Sequence, residues 1–130
     1  TIVMETGGMK GRRREMPREE FHRMLCAAFS VPSIHSEYGM AELMSQAYSQ
    51  GDGLFRTLPW MRVLTRDLND PFAWAGSGRS GGINVIDLAN VYSCSFLQTQ
   101  DFGKAYDDGT FRIEGRITGS EIRGCNLLVQ

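Results

Sequence analysis

The turn Tyr38-Gly39-Met40-Ala41-Glu42 constrains this chain more than any other stretch. It lies between a short apolar run at residues 34–38 and a new set of helically spaced apolar residues. A second glycine-bearing turn, Thr6-Gly7-Gly8, stands about thirty residues upstream, after another apolar run at residues 2–5. The backbone can approach a ligand closely at glycine, and helix N-termini favour anions. Two turns of this kind, one glycine-rich and one aromatic, can therefore form the walls of a nucleotide pocket.

The pattern around these turns predicts an α/β layer. Pro17 suits the first turn of a helix. Phe21, Met24, Leu25, Ala28 and Phe29 then follow helical spacing until Pro32. Residues 33–38 read as a strand. Met40, Leu43, Met44, Ala47 and Tyr48 repeat the helical spacing up to the Gly51-Asp52-Gly53 break. The first fifty residues are thus expected as strand, helix, strand, helix with a parallel sheet.

The style then changes. Met61, Val63 and Thr65 alternate within residues 60–66, and residues 83–88 form another strand pattern. Asp107-Asp108-Gly109 is a hairpin signal between residues 103–106 and 111–115. Residues 122–129 are expected as a last strand. This half reads as antiparallel and barrel-like. The organisation expected is a nucleotide-binding α/β segment over 1–53 and a β-rich segment over 54–130, together one incomplete domain. Because residues 2–4 already read as a buried strand and Thr1 is not methionine, a piece of a longer protein is expected.

Composition narrows the function. The net charge is −1 and charged residues make up 22% of the chain, which gives no case for nucleic-acid binding. No run is long enough to span a membrane. Cys26, Cys94 and Cys125 have neither zinc spacing nor an even disulfide count, which points to a reducing cytoplasm. The run Lys10, Arg12, Arg13 and Arg14 is either a solvated loop or a contact with phosphate or another domain.

Several residues have two readings each. Glu42, in the first turn of the expected second helix, is either a carboxylate favoured by the helix dipole or a magnesium ligand beside a phosphate. Asp101, in Thr99-Gln100-Asp101, is either a turn former or an acceptor for two ribose hydroxyls. Arg116 is either a surface residue or a contact to phosphate or ribose. Cys125 is either a small buried group or a thiol activated by its neighbour Arg123. His22 and His35 read as structural or surface residues.

Taken in order, Gly7-Gly8, Tyr38 to Glu42, Thr99 to Asp101 and Gly115-Arg116 resemble the adenylate-forming superfamily of acyl-CoA synthetases, luciferases and peptide-synthetase adenylation domains. Glu5-Thr6-Gly7-Gly8-Met9-Lys10-Gly11-Arg12, Ser36-Glu37-Tyr38-Gly39-Met40, Asp87-Leu88-Ala89-Asn90 and Arg123-Gly124-Cys125-Asn126 are similar to its acyl-protein synthetase branch, the LuxE-like family related to phenylacetate-CoA ligase. The resemblance implies part of the large domain of an enzyme that uses ATP and Mg²⁺ to activate a carboxylic acid, a fatty acid, as an acyl-adenylate.

By the same resemblance Gly7, Gly8, Tyr38 and Gly39 would flank the adenine. Glu42 would bind Mg²⁺, Asp101 would hold the ribose, and Arg116 would contact ribose or phosphate. Cys125 would accept the acyl group and pass it to an acyl-CoA reductase partner. Ala41 departs from the superfamily, which has threonine there, and a methyl donates no hydrogen bond to a phosphate. The superfamily's earlier phosphate loop has no counterpart in the chain, so the chain alone is expected not to adenylate. Coenzyme A as the acceptor, or a non-catalytic nucleotide- or acyl-binding role, are the rival readings.

Overall fold

A computed structural model of the chain describes residues 1–7, 17–70 and 72–117. One α-helix, a short 3-10 turn (Leu88–Asn90) and eight strands run through these residues. The strands are β1 (Met4–Glu5), β2 (His35–Tyr38), β3 (Ala47–Ser49), β4 (Phe55–Arg56), β5 (Met61–Arg66), β6 (Ser80–Asp87), β7 (Phe96–Ala105) and β8 (Thr110–Arg116), and α1 (Arg18–Phe29) follows β1. All eight strands form one sheet in the order β1-β2-β3-β4-β8-β7-β6-β5.

The crossover β1-α1-β2 pairs its two strands in parallel, with Glu5 opposite Ser36. Every other pairing is antiparallel. The mixed α/β class and the antiparallel β region that follows the first strands are therefore as the sequence predicts. The ends of the sheet, β1 and β5, are not neighbours, so the described strands make an open sheet rather than a closed barrel. The expected strand over residues 122–129 lies outside the described residues.

Helix α1 begins after Pro17, whose ψ of 139° is still extended, as a residue without an N–H suits. It ends at Phe29, three residues before Pro32, where Ser30 turns left-handed at φ 53° and its N–H reaches the Cys26 carbonyl.

The second helix does not exist. Residues 39–46 are a loop joining β2 to β3, which pair as an antiparallel hairpin with Tyr38 opposite Ala47. The burial there has a period of two: Leu43, Ser45, Ala47 and Ser49 are buried while Met44 and Tyr48 are exposed. Only one helix-like bond forms, from the Leu43 N–H to the Met40 carbonyl. The N–H groups of Met44 and Ser45, which a helix would bond to residues 40 and 41, go instead to the side chain of Asp87. Apolar residues at helical spacing fitted both patterns, and a distant carboxylate decided between them.

The core lies along the sheet and involves no buried residue of α1. Tyr38, Phe55 and Phe111 are its aromatic centre, each at most 1% exposed. Phe111 meets the Tyr38 ring edge-on at 5.1 Å and stacks on Phe55 at 5.3 Å, which adds to the area they bury. The hairpin β5-β6 extends the core by pairing Val63 with Val85 and Thr65 with Ile83.

Candidate functional site

The β1-β2 register fixes where the two glycine-bearing turns meet. With Glu5 opposite Ser36, Gly7 follows β1 and Tyr38-Gly39 closes β2 at the same carboxyl-terminal edge, where open α/β sheets bind ligands. Gly7 has φ 114°, a conformation open to glycine, and its N–H donates to Glu5 Oε2 at 2.7 Å. Glu5 Oε1 lies 3.3 Å from His22 Nε2 and 4.0 Å from Arg18 Nε, so α1 is tied to the start of this turn. Gly8 and the basic run that follows it lie outside the described residues.

Tyr38, Asp101 and Arg116, far apart in sequence, come together at this site. The Tyr38 hydroxyl donates to Asp101 Oδ2 at 2.8 Å. Arg116 Nε stands 3.7 Å from Asp101 Oδ1. A register shift in β7-β8 between Phe102 and Gly103 sets Asp101 opposite Arg116. A second irregularity, between Gly82 and Asn84 of β6, faces the Thr99-Gln100-Asp101 stretch of β7. Thr99 braces that stretch: its hydroxyl donates to the Ile83 carbonyl at 2.8 Å and accepts the Asp101 N–H at 3.1 Å. Irregularities of this kind re-aim side chains beside sites.

The electrostatics follow from burial. Desolvation pushes the Asp101 carboxyl above its ordinary value, while the Tyr38 hydroxyl and the Arg116 charge pull it back. Burial, and then the Asp101 charge, raise the Tyr38 hydroxyl well above its ordinary value, so Tyr38 is a donor at any physiological pH. The arrangement is a buried carboxylate held by one neutral donor and one cation, with acceptor capacity left on its oxygens.

Glu42 is exposed on the loop 39–46. The dipole of a second helix cannot account for it, because no helix is there. No group of three or more His, Cys, Asp or Glu among the described residues could hold a metal. A lone exposed carboxylate still fits magnesium, which typically takes one or two protein carboxylates and completes its shell with phosphate and water. Gly39 lies where a Cβ would meet Gln46 Cγ at 3.0 Å, so the two ends of the loop pass close together. Cys125 lies outside the described residues. Of the other cysteines, Cys26 is half-buried and Cys94 exposed, both unpaired.

Reading residues singly misses three structural anchors. Asp87 and Asn90 hold the loop 39–46 from below. Arg66, only 5% exposed, donates to the carbonyls of Ile83 and Thr99 and to Asn84 Oδ1, bracing β6 against the irregular part of β7. A charged residue at the end of an alternating strand gives no signal of such inward use.

The fold has clear relatives among solved structures. Unliganded O-succinylbenzoate coenzyme A synthetase from Bacillus subtilis matches 97% of the chain at TM-score 0.60 and 18% identity. The same enzyme in complex with ATP and magnesium ion matches 93% at TM-score 0.57 and 19% identity. A luciferase-like enzyme from the mealworm Zophobas morio matches 78% at TM-score 0.54 and 19% identity. The chain shares its fold with part of each of these enzymes.

It spans 28% to 30% of the length of these structures. No protein-family model matches the chain, and no curated protein sequence matches it. No helix among the described residues is long and apolar enough to cross a membrane.

Proposed function

We propose that the chain forms the nucleotide-facing part of a cytoplasmic ligase that activates a carboxylic acid with ATP. The observation that carries this reading is the convergence of Tyr38 and Arg116 on the buried carboxylate of Asp101, in a fold shared with adenylate-forming enzymes. In this reading Asp101 accepts the ribose hydroxyls, and Tyr38 and Arg116 hold it in place and ionised. Gly7, Gly8, Tyr38 and Gly39 would flank the adenine in this reading, and Glu42 would hold a magnesium ion. That ion would supply charge neutralisation for phosphoryl transfer when bound.

The acid's carboxylate oxygen forms a bond to the α-phosphorus while the bond to pyrophosphate breaks. In the acyl-protein synthetase form of the reading, the Cys125 thiolate then attacks the acyl carbonyl and AMP leaves with the bonding pair. The thioester, of a fatty acid, would pass to a reductase partner. A second reading, in which coenzyme A replaces Cys125 as acceptor, is favoured by the similarity to a coenzyme A synthetase.

The test is the intact mass of the native polypeptide after incubation with Mg-ATP and a panel of carboxylic acids. A hydroxylamine-sensitive adduct that disappears in Cys125→Ser is expected, and its mass identifies the acid. Pyrophosphate release without an adduct, with acyl-CoA formed when coenzyme A is added, would favour the second reading. Neither adduct nor pyrophosphate would overturn both.

A further inference from the structure

Residues 39–46 carry Glu42 on a loop with no regular structure of its own, yet two distant side chains dictate its path. Asp87 is fully buried at the end of β6. Its Oδ2 accepts the N–H groups of Met44 and Ser45, both at 2.9 Å. Its Oδ1 accepts the Ser45 hydroxyl at 2.7 Å and the Ala89 N–H at 3.1 Å. Asn90, one 3-10 turn further on, donates from Nδ2 to the Glu42 carbonyl at 2.8 Å and to the Cys94 carbonyl at 2.9 Å. The backbone is thus gripped at Glu42 itself and again two and three residues later. The Trp60 indole N–H adds a bond to the Ser45 hydroxyl at 3.0 Å.

A single exposed carboxylate on a free loop would lose conformational freedom on meeting a cation, and pre-ordering the loop removes that loss. Magnesium also demands near-octahedral geometry, so the direction from which a ligand approaches matters. We propose that Asp87 and Asn90 are positioning residues that fix the backbone from which Glu42 engages a nucleotide-bound divalent cation, without touching cation or nucleotide themselves. This rests on the function proposed above and adds to it the part of the chain that orients the metal ligand. It also accounts for the buried charge at Asp87, which serves four donors in a strand-end turn and lies outside the Tyr38–Asp101–Arg116 trio.

The test is a titration of Mn²⁺ into the full chain with ATP present, read by electron paramagnetic resonance. It uses the wild type, Asn90→Ala, Glu42→Ala and the double variant. Removing an outer-shell support is expected to weaken Mn²⁺ binding about tenfold. In the Glu42→Ala background the Asn90 change should add nothing, because the ligand it positions is gone. Weakening of equal size with and without Glu42, or none in Asn90→Ala, would overturn the positioning role while leaving the proposed function intact. If the wild type binds no more Mn²⁺ than ATP alone does, both fall. Should Asn90→Ala lose its native circular dichroism, Trp60→Phe, which removes only the indole donor to Ser45, is read by the same cycle with a smaller expected change.

Discussion

Replacing Tyr38 by phenylalanine isolates one bond at the centre of the site. The ring stays, so the edge contact with Phe111 at 5.1 Å and the tilted contact with Phe55 at 5.9 Å are kept. What is lost is the hydroxyl that donates to Asp101 Oδ2 at 2.8 Å. Asp101 is 3% exposed, so water cannot readily take the hydroxyl's place. A hydrogen bond to a charged group contributes about 1.5–3 kcal/mol, against about 0.5–1.5 kcal/mol for a neutral one.

Tyr38→Phe should therefore destabilise the fold by about 2 kcal/mol at neutral pH in urea denaturation with an unchanged m-value. The loss also raises the Asp101 carboxyl further, so it should shrink at acid pH, where Asp101 is protonated in either protein. In an Asp101→Asn background it should fall to about 0.5–1.5 kcal/mol, the neutral-bond range. An equal loss at both pH values and in both backgrounds would refute the role of the Asp101 charge.

Other outcomes follow from the same contacts. Asp87→Ala strips the acceptor from three backbone N–H groups and one hydroxyl, and at about 1–3 kcal/mol per buried donor it should cost at least about 3 kcal/mol by urea denaturation. Burial alone would raise the Asp87 carboxyl, but the bonds from Ser45, Met44 and Ala89 outweigh it and hold it below its ordinary value. Its stabilisation should be present above the unfolded carboxyl pKa of about 3.9 and vanish as pH falls through the lower folded value, an acid limb that Asp87→Asn should flatten in pH-dependent melting. Asp101 has the opposite sign: its raised folded value means that stability is lost as pH rises through it, so Asp101→Asn should remove that loss on the same assay. Gly103→Ala would drive a Cβ into the Arg112 backbone carbonyl across β7-β8 and should cost about 1–3 kcal/mol; a neutral result in thermal melts would show that the strands part freely there.

Much of the fold was legible where local chemistry and burial agree. Alternation marked β5 and β8, the run at residues 83–88 marked β6, and Asp107-Asp108-Gly109 marked the hairpin, with Gly109 at φ 82°. Pro17 and the apolar spacing marked α1. The strands β3 and β4 are three and two residues long, too short to show a period, and β4 exists because Phe55 pairs with Phe111. Residues 39–49 misled because Met40, Leu43, Met44, Ala47 and Tyr48 suit a helix as well as they suit a loop and strand. In the site, Tyr38, Asp101 and Arg116 were each legible as candidates, but their mutual contact depends on where two strand irregularities fall.

The sequence by itself determined the mixed class, the order of most elements and the residue types able to serve a nucleotide, because turns, caps and periods act over a few neighbours. Only the tertiary structure decided that Met40 to Ser45 would be a braced loop and that Tyr38 would give its hydroxyl to Asp101. Both outcomes rest on acceptors more than forty residues away, Asp87 for the loop and Asp101 for the tyrosine. A buried carboxylate draws in whichever donors the fold brings near it, and no local period records which those will be.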